Sequence, residues 1–484
     1  MAMMDAPSRF DYIRRMRWLD KPVAVRALGA WLLIGSGAAL QAWLTWFGPR
    51  NDLLVQLAEA GPGSDPYLTA TAVVLAWLTL GVALAILTSG AMTLRKASVV
   101  LAYGAITLLY VNVMRERVGY GDFADYYNAA VSLLNGTPMP QRYLYPPLWA
   151  TLLTPLVPSG PEATLVLVWT LNLVSTVAVL LVLPRVLERY GLSRPLAITV
   201  TLLFGAVNVP ILRTLSYAQI NMEVLLGILL ALHWYPRNRF LSALALAIAV
   251  HLKLSPIALA MAFLWVRDLE WLALFAVWLL AIAVVPAGAF GLGPYADLVH
   301  NLQTIERANG LIFRDNSIDS FLRGTSLATG IGAYLLIWPA KAVLAAVCLA
   351  LAVIHVRRRT FVRAEAPGAA VLNAIPALMV LMVMVAPLVW EHHPVLLGLS
   401  YIVVATVLRP GDFVLFGFAY FLEFLTPTFD FFPWSYGRLI SPLILLALAW
   451  QRAADPYREG LSRANRLIVE TEESASDCAR TQSL

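Results

Sequence analysis

Charge is what this sequence of 484 residues has least of: Asp, Glu, Lys and Arg make up 13% of it, about half the share usual in a soluble domain. With 60% hydrophobic residues beside so little charge, soluble enzymes, DNA-binding modules and disulfide scaffolds are excluded as classes. Cysteine is nearly absent. Cys348 lies in an apolar run and Cys478 in a polar tail, a spacing that gives neither a disulfide framework nor a metal-ligand set. Alternation of apolar and polar residues over about ten positions is also missing, which excludes a transmembrane β-barrel. There is no Gly-rich phosphate loop and no internal repeat. Lys+Arg exceed Asp+Glu by 35 − 29 = 6. In so apolar a chain this excess reads as anchoring of cytoplasmic loops, and no nucleic-acid partner is expected.

What the sequence has is long uncharged runs, recurring from Leu28–Pro49 through Pro66–Leu94, Ala163–Pro184 and Trp271–Ala296 to the last run after Leu439. One crossing needs about 20 apolar residues, and counting the shorter runs as crossings gives about 14 spans. The fold class is therefore all-α, a polytopic transmembrane helical protein surrounded by membrane lipids. Lys and Arg gather between alternate spans: the amino-terminal cluster, Arg95-Lys96, Arg185 with Arg189 and Arg194, Arg237 with Arg239, Arg267, Arg357-Arg358-Arg359 and Arg409. That side is assigned to the cytoplasm. The opposite side receives residues 51–65, 115–161 and 297–323, the turn at Glu391-His392-His393, and residues 426–436. Four divisions follow: a cytoplasmic basic N-terminus (1–26), N-terminal spans (27–114), a core with outward segments (115–452) and a polar cytoplasmic tail (453–484). The expected location is a membrane, crossed many times.

Polar residues in the outward segments and spans are candidates for chemistry. The segment from Asp122 to Asn135, stopped by Gly136, predicts an amphipathic helix on the outer surface, with Phe123, Tyr127, Ala130 and Leu134 as its apolar stripe. Asp122 at its start reads either as a helix cap or as a functional carboxylate. Gln219, Asn221 and Glu223 open one apolar run, Lys253 precedes Ser255-Pro256, and Glu391-His392-His393 closes another. Lys341 and Glu423 lie inside further runs. Intramembrane ionisable groups tend to face a cavity or a partner, although any of these could sit at the interface and snorkel. Adjacent histidines point to different sides of a helix and the i, i+4 pair of metalloproteases is absent, so no metal site is expected.

The order of these features resembles glycosyltransferase family 87, a set of polytopic GT-C enzymes. The resemblance rests on Asp122-Phe123-Ala124-Asp125-Tyr126-Tyr127-Asn128, Tyr145-Pro146-Pro147, Ala218-Gln219-Ile220-Asn221 (where the family usually has Gly at position 218), Leu252-Lys253-Leu254-Ser255-Pro256, Asp315-Asn316-Ser317, and Pro387 to His393. It departs from the family in having three spans rather than one before the acidic segment. It implies a GT-C-type core over 115–452 that moves a sugar, mannose in many relatives, from a polyprenyl-phosphate donor to a glycolipid or glycan acceptor on the extracytoplasmic face. Asp122, His392 and His393 are the implied catalytic set. Asp125, Tyr126, Arg142, Tyr145, Gln219, Asn221, Lys253, Asn316 and Glu391 are the implied substrate-binding set. An inverting transfer needs one carboxylate as general base, the role expected of Asp122. The departing phosphate needs donors, a role suited to Lys253, His392 or His393 and to Arg142 or Arg213. No cofactor or divalent cation is expected. Two other readings share the intramembrane charges: a transporter or flippase of a lipid-linked sugar, which commonly carries repeats that this chain lacks, and an O-antigen ligase or polymerase, distinguished by a diphosphate donor.

The charge distribution generates a test of sidedness. Cysteines introduced near Asp122, Asn316 and His392 are expected to react with an impermeant thiol reagent in intact spheroplasts, and one near Arg358 is not. Labelling near Arg358 would overturn the orientation.

Overall fold

The computed structural model describes residues 120–206, 208–308, 315–364, 367–426 and 434–454, with a few isolated positions before residue 97. Among these residues the fold is all-α, without strands. The expected N-terminal segment 1–26, nearly all of the expected spans within 27–114 and the tail from residue 455 onward lie outside the described residues.

Helix α1 (Phe123–Asn135) forms where the sequence predicts it and ends at Gly136, whose φ of 64° lets its N–H turn back to Leu133 O. Its buried face differs from the expected stripe. Phe123, Tyr126, Ala129, Ala130 and Leu133 are buried, while Leu134 is exposed. The face is rotated because Tyr126 turns inward, where its hydroxyl finds a buried partner, Gln219.

The chain continues through α2 (Leu148–Leu153), a 3-10 segment and α3 (Gly160–Arg189), then α4 (Arg194–Ala206) and α5 (Val209–Ser216). Next come α6 (Asn221–Trp234), α7 (Arg239–Leu252), α8 (Ala260–Trp265) and α9 (Leu269–Phe290). The segment after α9 supplies α10 (Gly293–Ala308) and α11 (Ile318–Thr329). Last are α12 (Ile337–Arg358), α13 (Pro367–Met384), α14 (Gly398–Ala405), α15 (Phe413–Tyr420) and α16 (Gly437–Ala453).

Three helical stretches among the described residues are long and apolar enough to cross a membrane: Leu148–Arg189, Leu269–Phe290 and Ala333–Arg358. The bent pair α4 and α5, at 55°, makes a fourth if it counts as one span. The expected spans within 27–114 lie outside the described residues, and several of the later runs counted as spans form short helices. The 14 residues of α6 rise about 21 Å, less than the ~30 Å hydrocarbon core. Such helices are held inside the bundle, where neighbours rather than lipid set their length. The exterior is apolar: Val166, Val174, Val177 and Leu181 on α3, Val277, Leu280 and Val284 on α9, and Trp338 and Val343 on α12 are each more than half exposed. This is the surface of a membrane protein.

Charge collects at the two ends of the bundle. At one end Arg189 donates to Leu232 O, Tyr235 and Arg239 both reach Asp268 Oδ2 at 2.8 Å, Arg358 donates to Ala453 O, and Arg452 pairs with Asp412. The other end holds Asp122, Gln219, Lys253 and His392. Between them α6 and α7 form a tight hairpin that decides what meets at its open end. Asn238 caps α7 by accepting from Leu241 N–H, and Gly227 on α6 lies so close to α7 that a Cβ there would stand 3.0 Å from both Ala245 O and Ala249 Cβ. Small residues permit this approach, and the hairpin then sets Asn221 opposite Lys253, whose Nζ donates to Asn221 Oδ1 at 2.9 Å.

Gly227→Val should therefore separate the two helices, because Ala245 O is backbone and cannot yield. A loss of roughly 1–3 kcal/mol is expected, read as a lowered thermal midpoint in detergent. An unchanged midpoint would show that the close approach contributes nothing.

Candidate active site

The site grows from a turn. Helix α5 ends in a pair of hydrogen bonds, Gln219 N–H to Thr214 O and Ala218 N–H to Leu215 O, the arrangement in which a left-handed residue normally closes a helix. That residue is Ala218, with φ of 51°, although glycine adopts this conformation at far lower cost. The turn delivers Gln219 and Asn221, both buried, to the mouth of the α6–α7 hairpin.

Asp122 arrives from the start of α1. Its carboxylate makes no capping hydrogen bond to that helix. Instead Oδ2 accepts from Gln219 Nε2, while Gln219 Oε1 accepts from the buried Tyr126 hydroxyl, and Tyr145 OH lies 3.3 Å from Gln219 Nε2. Tyr126 and Tyr145 meet edge to face at 5.1 Å, a favourable aromatic geometry. Asp122 Oδ1 takes no hydrogen bond from the described protein, and the side chain is 32% exposed. Burial pushes the Asp122 carboxyl up to about 6, with Asp125 adding to the rise and the Gln219 hydrogen bond, Lys253 and Arg142 opposing it. Burial also raises Asp125, and Arg142 opposes that rise.

The third contributor is the loop before α14. His392 Nε2 lies 3.7 Å from Asp122 Oδ2, too far for a hydrogen bond, and has no hydrogen-bond partner among the described residues. Burial, followed by the charges of Lys253 and Arg213, holds the His392 imidazole well below the usual histidine range, so it is neutral at pH 7. The His393 ring stands at 88° to that of His392, and its Nδ1 accepts from Trp390 N–H at 3.1 Å. The two histidines thus serve different surroundings, as adjacent residues must. Glu391 pairs with Arg213 at 2.8 Å, and Asn221 Nδ2 donates to His392 O at 3.3 Å.

A clasp holds this loop in place. Asp315 Oδ1 accepts from Val389 N–H at 2.7 Å, and Asn316 N–H donates to Val389 O at 2.8 Å. Ser317 Oγ donates to Asp315 Oδ2 at 2.8 Å while capping α11 by accepting from Ser320 N–H. Asn316, expected among the substrate contacts, is buried and reaches the loop through its backbone.

Residues from Asp122 to His393 are thus brought to one end of the bundle. Tyr126 and Gln219 are buried behind Asp122, and Arg142 is exposed at its rim. Lys341 pairs with the buried Asp319, and Glu423 accepts from Tyr401 OH at 3.1 Å, so both are tied into the helix packing. Glu223 turns toward Ser175 on α3. Sequence reasoning missed Asp297, which accepts from Met139 N–H, and Asn301, which donates to Pro140 O, both at 2.9 Å. These two pin the loop carrying Arg142, and only their place in an outward segment could have pointed to them. Among the described residues no three His, Cys, Asp or Glu side chains cluster as metal ligands.

Comparison with known proteins yields one match: the model of glycosyltransferase family 87 fits residues 143–387. That span includes Tyr145, Gln219, Asn221, Lys253 and Asn316 and leaves Asp122 and the histidine pair just outside. No curated protein and no solved structure matches the chain.

The Ala218 turn makes a prediction in two directions. Relief of the left-handed strain, about 1–2 kcal/mol, exceeds the ~0.8 kcal/mol lost with one buried methyl, so Ala218→Gly should raise the thermal midpoint slightly. Ala218→Val should lower both stability and turnover by displacing Gln219. Equal midpoints for all three proteins would show that the turn is unstrained.

Proposed function

Because the chain belongs to glycosyltransferase family 87, we propose that this glycosyltransferase uses a polyprenyl-phosphate sugar, with mannose the expected sugar, and transfers it to a glycolipid or glycan acceptor on the extracytoplasmic face of the bacterial inner membrane. The transfer is an inverting displacement. The acceptor oxygen bonds to the anomeric carbon, the bond from that carbon to the phosphate oxygen breaks, and the polyprenyl phosphate leaves with the electron pair. Asp122 takes the acceptor's hydroxyl proton through Oδ1, the oxygen to which no described residue donates.

The observation that carries this reading is the partner of Lys253. Among the described residues its Nζ has one hydrogen bond, to the neutral Asn221 amide, and no carboxylate within ion-pair distance. In its ammonium form the side chain has three donors, so two remain for an anion, at the same mouth where Asp122 and His392 face each other. A departing phosphate has the chemistry to use them, and a positive charge in such a site is worth several times what it is in water. Neutral His392 offers a further donor or acceptor without adding charge. The reading needs no cation, since a phosphate monoester has less charge to neutralise than a diphosphate.

Purified protein incubated with a panel of radiolabelled polyprenyl-phosphate sugars should transfer label from one of them. Asp122→Asn should lower turnover by at least ~10² while leaving the thermal midpoint in place. A base must be ionised, so activity of the wild-type protein should be present above pH 6 and fall as pH drops through about 6. Full turnover by Asp122→Asn would rule out Asp122 as the base, and labelled sugar carried across vesicles without transfer would favour a transporter.

A further inference from the structure

We infer that Gln219 and Tyr126 do not touch substrate but are positioning residues, which hold the Asp122 carboxylate in one orientation with Oδ1 turned to the acceptor. The inference rests on the reading of Asp122 as the base and concerns how the fold makes it one. Tyr126 is fully buried and Gln219 is 2% exposed, whereas the Asp122 side chain is 32% exposed. Only the last of the three is open to a substrate.

The chemistry of the chain of groups fixes its direction. An ionised carboxylate accepts hydrogen bonds and donates none, so the amide atom facing Asp122 Oδ2 must be the nitrogen of Gln219. The amide oxygen then faces the other way and needs a donor, which the Tyr126 hydroxyl supplies. Turning the amide over would set two acceptors against each other at Asp122 and leave the Tyr126 proton without its acceptor in a buried site. A buried polar group left unpaired is penalised by about 1–3 kcal/mol. Tyr126 therefore acts on Asp122 through Gln219, and both bonds favour the ionised carboxylate over the protonated one. The Ala218 turn and the packing of α1 on Tyr143, Tyr145 and Trp149 keep the two partners in register.

The other charged and titratable groups around Asp122 come from separate elements: Asp125 on α1, Arg142 and Tyr145 on the following loop, Lys253 beyond α7 and His392 before α14. Of these, Tyr145 alone touches Gln219 and loses that contact in Gln219→Leu, while Asp125, Arg142, Lys253 and His392 keep their hydrogen bonds and ion pairs when Gln219 or Tyr126 becomes an apolar residue of similar size. Gln219→Leu removes the donor to Oδ2, so the acid limb of kcat should move from about pH 6 to higher pH by roughly one unit, with the plateau reduced about tenfold. Tyr126→Phe removes one oxygen, spares the fold, and should move the limb in the same direction by less. In both variants KM for donor and acceptor should stay within about twofold of wild type. A raised KM with an unmoved acid limb would make the two residues substrate contacts and overturn the inference. Should Gln219→Leu fail to fold, the Tyr126→Phe limb alone decides. Asp122→Asn serves as the control: if it is inactive while the limb stays fixed in the other variants, positioning is wrong but the base stands, and if it is fully active, the base itself is wrong.

Discussion

A hydrogen bond between residues 97 positions apart, Gln219 Nε2 to Asp122 Oδ2, joins two parts of the molecule, alongside the Tyr126 hydroxyl that meets the other end of the same amide. One is the amphipathic α1, which carries the acid, and the other is the buried mouth of the α6–α7 hairpin. A carboxylate removed from water is costly unless donors face it, and an amide inside a helical bundle is costly unless both its ends are met. Each group therefore requires the other, and the requirement fixes where α1 can lie.

Around that bond the frame is built from backbone rather than from side-chain bulk. The α6–α7 hairpin is close because Gly227 has no side chain, and it sets Lys253 against Asn221. The loop with the two histidines hangs from Asp315 and from the Asn316 N–H, both bonded to the main chain of Val389. The loop that carries Arg142 is tied by Asp297 and Asn301 to α10 in the same fashion. Two irregular segments and the mouth of the hairpin are thereby fixed at one end of a bundle whose other end carries Arg189, Arg239, Arg358 and Arg452.

Much of this was legible in the sequence, for identifiable reasons. Low charge and long apolar runs leave an all-helical membrane protein as the fold class, and Gly136 marks the end of α1 because only a left-handed residue closes a helix there. The residues of the site were legible as exceptions: Asp122, Gln219, Lys253 and His392 are polar where neighbours are apolar. Their partners were not. Nothing at Tyr126 says that its hydroxyl lies within the core, so the apolar stripe legible in the sequence runs through Tyr127 and Leu134, whereas the face buried in the protein runs through Tyr126 and Leu133. Likewise nothing in the sequence says that the Asn316 N–H bonds the main chain of Val389. Nor could run length separate crossing helices from α6 or α7, since a short apolar helix reads the same in lipid and in a protein interior.

The clasp at Val389 has a consequence for how this site can vary. Both of its bonds are made to the peptide group, one through the N–H and one through the carbonyl, and the Asn316 contribution is itself a peptide N–H. The identities of residues 389 and 316 are therefore constrained by the pockets they fill rather than by the clasp. Proline is the exception at either position, having no N–H to give. The carboxylate of Asp315 has no such latitude. Drift among descendants of this sequence should accordingly be wide at residue 389, where the loop offers only its peptide group, and narrow in the acid that holds it.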